Sequence, residues 1–321
     1  MYSTGIVGAR GGACAEASLD ELAAAVARFE RTGNVTPLLA RFVAAASSAG
    51  GARPKAVIVD GERHYIAKFT SAMDQNTAVE RAEVLALKLA SAAGIEAPQA
   101  RILGSKNKPV ALIERFDRKV VRGNVQRRHV ISAQTFLGAQ FADEGDYADL
   151  VEQMRVHAEA GQMSELFARV AFNVLVRSTD DHLKNHAFVH VGGGRWRMSP
   201  VFDVNPQPER HGQLKTYING RADATVDNLL SGHAAFGLKL DEARQIVDRV
   251  ARVVAGRWRP LAREVGMSRK SVDYYAAAFE HEEMRSAQHR PASVSLLPRD
   301  DNECEETKRE RKRESKRERK R

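Results

Sequence analysis

Cysteine is almost missing from this chain: there are two in 321 residues, Cys14 and Cys304, near opposite ends. A disulfide framework is excluded on that count, and a reducing, cytoplasmic compartment is the expectation. Long apolar runs are missing too. The alanine-rich stretches are broken by charge well before the roughly 18 residues that a membrane span requires, so no membrane association is expected. The N-terminus carries Arg10 and small residues but no apolar segment of the secretory-signal type. Most of the basic excess is likewise missing once the tail is set aside. Residues 308–321 hold ten basic and three acidic side chains, which is +7 of the net +9 and leaves +2 for everything else. With Glu310, Glu314 and Glu318 recurring every fourth residue, the tail reads as a solvated, partly helical charged segment, or as an electrostatic arm for nucleic acid. The basic pI is thus a property of the tail.

What is present is an ordered series of parts. Residues 47–55 are small and polar, residues 56–60 alternate as a strand, Asp60-Gly61 marks a turn, and residues 64–69 form a second strand that carries Lys68. A loop without bulky Cβ atoms lets backbone N–H groups reach phosphate oxygens. Residues 79–93 predict a helix that ends at Gly94, and residues 101–103 and 110–114 predict two more strands. Beyond Arg118 the pattern turns helical, over 147–158 and 164–177, followed by a hairpin around Gly192-Gly193-Gly194. Ser18 opens an amphipathic helix near the start, with Glu21 at the capping-box spacing. The fold class expected is α+β and bilobal, with a small β-rich lobe and a larger helical one. Residues 1–17 would be a flexible N-terminus, 18–118 a small β-rich lobe with the phosphate loop, 119–285 a helical lobe, and 286–321 a flexible tail.

The densest chemistry lies in Asp180-Asp181-His182-Leu183-Lys184-Asn185, followed by Asp203. An aspartate five residues before an asparagine, with another aspartate some twenty residues on, is the layout that phosphoryl transfer from ATP needs. One carboxylate orients the attacking hydroxyl, and the amide and later carboxylate hold magnesium. Each part has a plainer reading. Asp180, Asp181 and His182 could cap a helix and make a turn, and Lys68 could snorkel from a strand edge. His182 with Asp181 and Asp203 could suggest a metal site, although no second His or Cys stands at a ligand spacing.

In sequence these parts resemble the HipA family of bacterial serine/threonine kinases, the toxins of HipBA-type toxin–antitoxin pairs. The resemblance rests on residues 48–55 (SAGGARPK), 66–68 (IAK), 83–90 (EVLALKLA) before Gly94-Ile95, 114–118 (ERFDR), 180–185 (DDHLKN) and 201–203 (VFD), and runs from about residue 18 to 283. It implies a protein-kinase-like fold with ATP and Mg2+ as cofactors. Asp180 would be the catalytic base, since Asp181 does not keep the five-residue spacing to Asn185. Asn185 and Asp203 would ligate magnesium. Lys68 would pair with the ATP phosphates, and Gly50, Gly51, Ala52, Arg53, Pro54 and Lys55 would cradle them. Glu114 and Phe116 would meet the adenine where the lobes join. Glu83 would position Lys68, with Glu80 as competitor. The chain lacks a G-x-G-x-x-G run, and His182 stands where ordinary protein kinases carry a lysine. Transition-state charge would then be met by His182, Lys184 or the metals.

The resemblance also implies autophosphorylation at Ser48, whose phosphate would expel the loop and switch the enzyme off. It implies a protein substrate, in translation for some relatives, and a helix-turn-helix antitoxin through which DNA is contacted only indirectly. Full-length relatives carry a further N-terminal subdomain before the phosphate loop, and here 46 residues precede Ser47. A short form is therefore expected, with a separate small protein as one candidate for the missing piece. Residues 261–279 look like a helix-turn-helix, but in such chains they complete the helical lobe. The competing readings of function are a nucleotide-binding regulatory module acting through an antitoxin–DNA complex, and a small-molecule kinase on the same scaffold.

Overall fold

The computed structural model describes residues 55–60, 62–70, 77–105, 108–142, 145–208 and 212–289, together with helical positions 21, 24, 25, 28 and 32. The phosphate loop from Gly50 to Pro54, Ser47 and Ser48, both cysteines and the basic tail lie outside these residues. Four antiparallel strands form the first sheet, β1 (Lys55–Asp60), β2 (Arg63–Phe69), β3 (Ala100–Ser105) and β4 (Lys108–Glu114), in the order β1-β2-β4-β3. Period-two alternation divides their side chains between two cores. Ala56, Ile58, Tyr65, Ala67, Phe69, Val110 and Leu112 form one cluster, joined by Ala25. On the other face, Ala111 and Ile113 of β4 join the main core. Lys68 lies opposite Ala111 in the ladder, so its side chain points to that second face.

Helix α1 (Val79–Ala92) packs across this face and is buried nearly all round, as its continuous apolar run requires. It stops at Ala93-Gly94, where Gly94 takes a positive φ. The helix is braced from the far side by α6 (Leu240–Glu264), the long helix of the helical part. Arg81 donates to the Val265 carbonyl and Lys88 pairs with Glu264 at 3.0 Å. The chain can turn there because Gly266 is at φ +77°, and a Cβ on it would lie 2.6 Å from the Arg81 guanidinium.

The chain stays extended after Arg118, contrary to the helical expectation. β5 (Arg118–Val121) and β6 (Asn124–Arg127) make a hairpin, and β7 (Val130–Ser132) pairs with β9 (Ala187–Gly192), itself the partner of β10 (Arg195–Met198). No strand residue of the hairpin is fully buried, β6 being exposed throughout and β5 half-buried at three of its four residues, so no apolar alternation marks it in the sequence. A third sheet orders β12 (Arg221–Asp223), β11 (Gln213–Ile218) and β8 (Gly145–Asp146). The helical part consists of α2 (Ala133–Leu137), α3 (Tyr147–His157), α4 (Gln162–Leu175), α5 (Val226–Ser231), α6, α7 (Arg269–Phe279) and α8 (Glu282–His289). The segment that looked like a helix-turn-helix is the end of α6 followed by α7. Its Tyr275, Ala278 and Phe279 are buried, and Phe279 stacks on Trp258 at 4.9 Å.

Between α7 and α8 sits His281, 5% exposed, its Nε2 donating to the Leu175 carbonyl at 3.0 Å. Burial pushes the imidazole down to about 4. The folded state therefore resists protonating it, and the stability present above the ordinary pKa near 6.5 is lost as pH falls from there toward 4. Thermal melts across that window should show a loss of about 3 kcal/mol that His281→Gln removes. Equal slopes for the two proteins would refute it.

Candidate active site

Lys68 is the meeting point of both lobes. Its Nζ bonds Glu83 Oε1 of α1 at 2.5 Å and Asp203 Oδ1, which arrives from the segment after β10. Glu83 is the carboxylate that takes this place, while Glu80 sits beside Arg81. Lys68 is only 13% exposed, which rules out a snorkelling role. Burial by itself would lower its pKa, but Glu83 and Asp203 outweigh that and push it up to about 12. Burial likewise opposes ionisation of Asp203, yet Lys68 chiefly, with Lys55 and His182 behind it, holds its pKa below the ordinary value. Lys55 faces Lys68 across the β1–β2 ladder.

Asp203 occupies the left-handed region, φ 55°, an uncommon conformation for a side chain without local compensation. The compensation is visible downstream. Asn205 Nδ2 donates to the Asp203 carbonyl at 3.1 Å, Asn205 N donates to Ser178 Oγ at 3.1 Å, and Gln207 N donates to the Arg177 carbonyl at 3.2 Å. These bonds lace the Asp203 segment to the chain just before Asp180.

The adjacent aspartates have opposite environments. Asp181 is 3% exposed and enclosed: Tyr147 donates its hydroxyl to Oδ2, and His186 Nε2 lies 2.8 Å from Oδ1. Burial would raise its pKa, but His186, Tyr147 and Asn173 together hold it below the usual value. Tyr147 is correspondingly raised by burial and by the Asp181 charge. Asp180, by contrast, has a side chain 48% exposed, with Lys215 Nζ 3.7 Å away. Between them and Asn185 the chain makes a short 3₁₀ turn, Leu183–Asn185. Asn185 Nδ2 donates to the Asp180 carbonyl at 2.9 Å, which fixes the five-residue spacing as one closed turn. Lys184 is exposed. His182 precedes the turn, with a buried Nδ1 that has no partner.

A cleft of about 280 Å³ is lined by Lys55, Lys68, Glu83, Glu114, Phe116 and Asp203, among others. Phe116 closes it against Phe202, ring centroids 5.7 Å apart. Asp117, in the same wall, is clamped by Arg115 and Arg118 at the connection between the lobes. Asp180, His182, Lys184 and Asn185 are not among the cleft's walls. The donor set suits magnesium. Among the described residues no group of three or more His, Cys, Asp or Glu could hold a metal by itself, which removes the His182–Asp181–Asp203 alternative. Magnesium instead uses one or two protein oxygens and completes its shell with water and phosphate. Asp203 supplies an ionised carboxylate. Asn185 commits its amide nitrogen to the Asp180 carbonyl, so its oxygen is the atom that could take a metal.

Sequence reasoning missed Lys215, Tyr147 and His186. The last two carry no motif, and Lys215 sits on a strand 35 residues beyond Asp180.

A β-rich lobe with one buried helix, joined to a helical lobe with a lysine–carboxylate pair at the seam, defines a protein-kinase-like fold. The solved structure of HipA from the Shewanella oneidensis toxin–antitoxin system, in complex with HipB and its operator DNA, is similar, with a TM-score of 0.59 and 17% identity over 74% of this chain. The match takes in 63% of that HipA chain's own length, less than two thirds. The Helicobacter pylori proinflammatory kinase CtkA is similar with a TM-score of 0.53 and 12% identity, covering 77% of this chain and 94% of CtkA. No curated protein matches the sequence. The family model of the HipA-like C-terminal domain matches residues 47–258, and the chain belongs to that family.

Proposed function

We propose that this protein is a serine/threonine protein kinase that transfers the γ-phosphate of ATP to a hydroxyl of a protein substrate. In a bacterial cell it would act as a growth-arresting toxin held by a helix-turn-helix antitoxin. The observation that carries the reading is the bridge of Lys68 between Glu83 and Asp203, one ammonium tying the small lobe to the segment that would bind metal. The similarity to a HipA solved with HipB and operator DNA supports the antitoxin part.

In the proposed step Asp180 accepts the proton of the substrate hydroxyl. The hydroxyl oxygen bonds to the γ-phosphorus, the bond from that phosphorus to the β,γ-bridging oxygen breaks, and ADP leaves with the electron pair. Lys68 would sit against the α- and β-phosphates, with Glu114 and Phe116 against the adenine. Asp203 and Asn185 Oδ1 would hold magnesium, which when bound neutralises phosphate charge. Catalysis here is positioning and charge neutralisation, not covalent chemistry by the protein.

Purified protein, γ-labelled ATP, magnesium and a bacterial extract test this. Label should appear on serine or threonine of the chain itself or of an extract protein. Label confined to a small-molecule fraction would replace the protein-kinase reading with a small-molecule kinase, and no transfer at all would defeat both.

A further inference from the structure

Lys215 stands beside the reacting centre with no role assigned to it. Its ammonium lies 3.7 Å from Asp180 Oδ1, both side chains partly exposed. Its place is not accidental, because β11 is fastened to the Asp180 loop. The next residue, Thr216, is fully buried and donates twice to the Asp181 carbonyl, from its backbone N at 3.1 Å and from Oγ1 at 2.8 Å. The strand also pairs with β8 through Thr216 and Gly145. Gly145 in turn lies so close to Leu183 of the Asp180 loop that a Cβ there would come within 2.6 Å of the leucine. Alternation along β11 buries Leu214, Thr216 and Ile218, and turns Lys215 outward on the side where Asp180 is exposed.

The chemistry leaves a place for such a cation. Negative charge in the transferring phosphoryl group spreads over its three equatorial oxygens and needs a fixed positive partner. His182 occupies the sequence position two after Asp180, and Lys184 is exposed. A partly exposed ion pair at 3.7 Å is worth little by itself, so a phosphoryl oxygen can take the carboxylate's place against the ammonium with small loss from that pair.

We propose that Lys215 contacts the γ-phosphoryl group in transit, supplying from β11 the charge that other kinases place within the catalytic loop. The inference rests on the kinase reading above. The test compares wild type with Lys215→Met and Lys215→Arg by steady-state kinetics, and by binding of MgADP with and without aluminium fluoride, a mimic of the phosphoryl group in flight. Lys215→Met should lower kcat about 100-fold. Its MgADP affinity should stay within about twofold of wild type, and the tightening caused by aluminium fluoride should vanish. Lys215→Arg should recover part of both. An unchanged kcat, or retained fluoride tightening, overturns the proposal. A raised KM for the protein acceptor with kcat intact also overturns it and assigns the lysine to acceptor binding. Wild type that neither transfers phosphate nor responds to fluoride sinks the kinase reading itself, a result distinct from failure of the lysine alone. Lys215→Gln serves as a second neutral variant should the methionine variant melt early.

Discussion

Asp180→Ala should abolish phosphate transfer, lowering kcat by about 10³-fold or more, while the protein melts at the wild-type temperature. The two halves of that expectation come from separate observations. The side chain is nearly half exposed and its ion partner is 3.7 Å away, so its removal leaves no buried group orphaned. Its carbonyl, which holds Asn185 in place, belongs to the backbone and survives the substitution. Label transfer with γ-labelled ATP, set beside a thermal melt, checks both. Transfer that persists within tenfold of wild type would remove Asp180 from the role of base.

Asp181→Ala should fail in the opposite way. It removes the acceptor of the Tyr147 hydroxyl and the partner of His186, inside a site that is buried throughout. Leaving two buried groups, the Tyr147 hydroxyl and the His186 ring, without their acceptor costs about 1–3 kcal/mol each. A denaturant titration should register a loss of that order, and a loss below about 1 kcal/mol would show that the enclosed carboxylate is dispensable. Two neighbouring aspartates, equal in the sequence, thus divide into one open at the surface and one that braces the loop from within. Asp181→Asn should recover part of the stability, since an amide oxygen can still accept from Tyr147.

The difference between these two residues also marks how far the sequence could be read. Spacing to Asn185 separates Asp180 from Asp181, because the asparagine side chain closes a turn of fixed length. Alternation along residues 64–69 puts Lys68 on the face opposite Ala67, and the helical period brings Glu83 under it. These are local regularities. What surrounds Asp181 is not local: Tyr147 begins a helix 34 residues earlier and His186 follows the turn, and neither type nor spacing announces their meeting. Lys215 was illegible for the same reason, since its relation to Asp180 exists only through the fastening of β11 to the loop, by the Thr216 bonds to the Asp181 carbonyl and by the pairing with β8. The β5–β6 hairpin escaped because neither strand buries a face fully, which leaves no apolar alternation to read.

The bracing of α1 bears on control. Kinases of the common type regulate themselves by swinging the helix that carries the lysine's carboxylate partner, a motion that needs that helix to be held on one side only. Here α1 is gripped on its far side as well, by the Arg81 bond to the Val265 carbonyl and the Lys88–Glu264 pair, with Gly266 fitted against the guanidinium. Rotating Glu83 away from Lys68 would mean parting the helix from the long helix of the other lobe, a motion that these contacts oppose. A kinase built this way would idle with its lysine already in register, and restraint would have to come from blocking the nucleotide or the substrate.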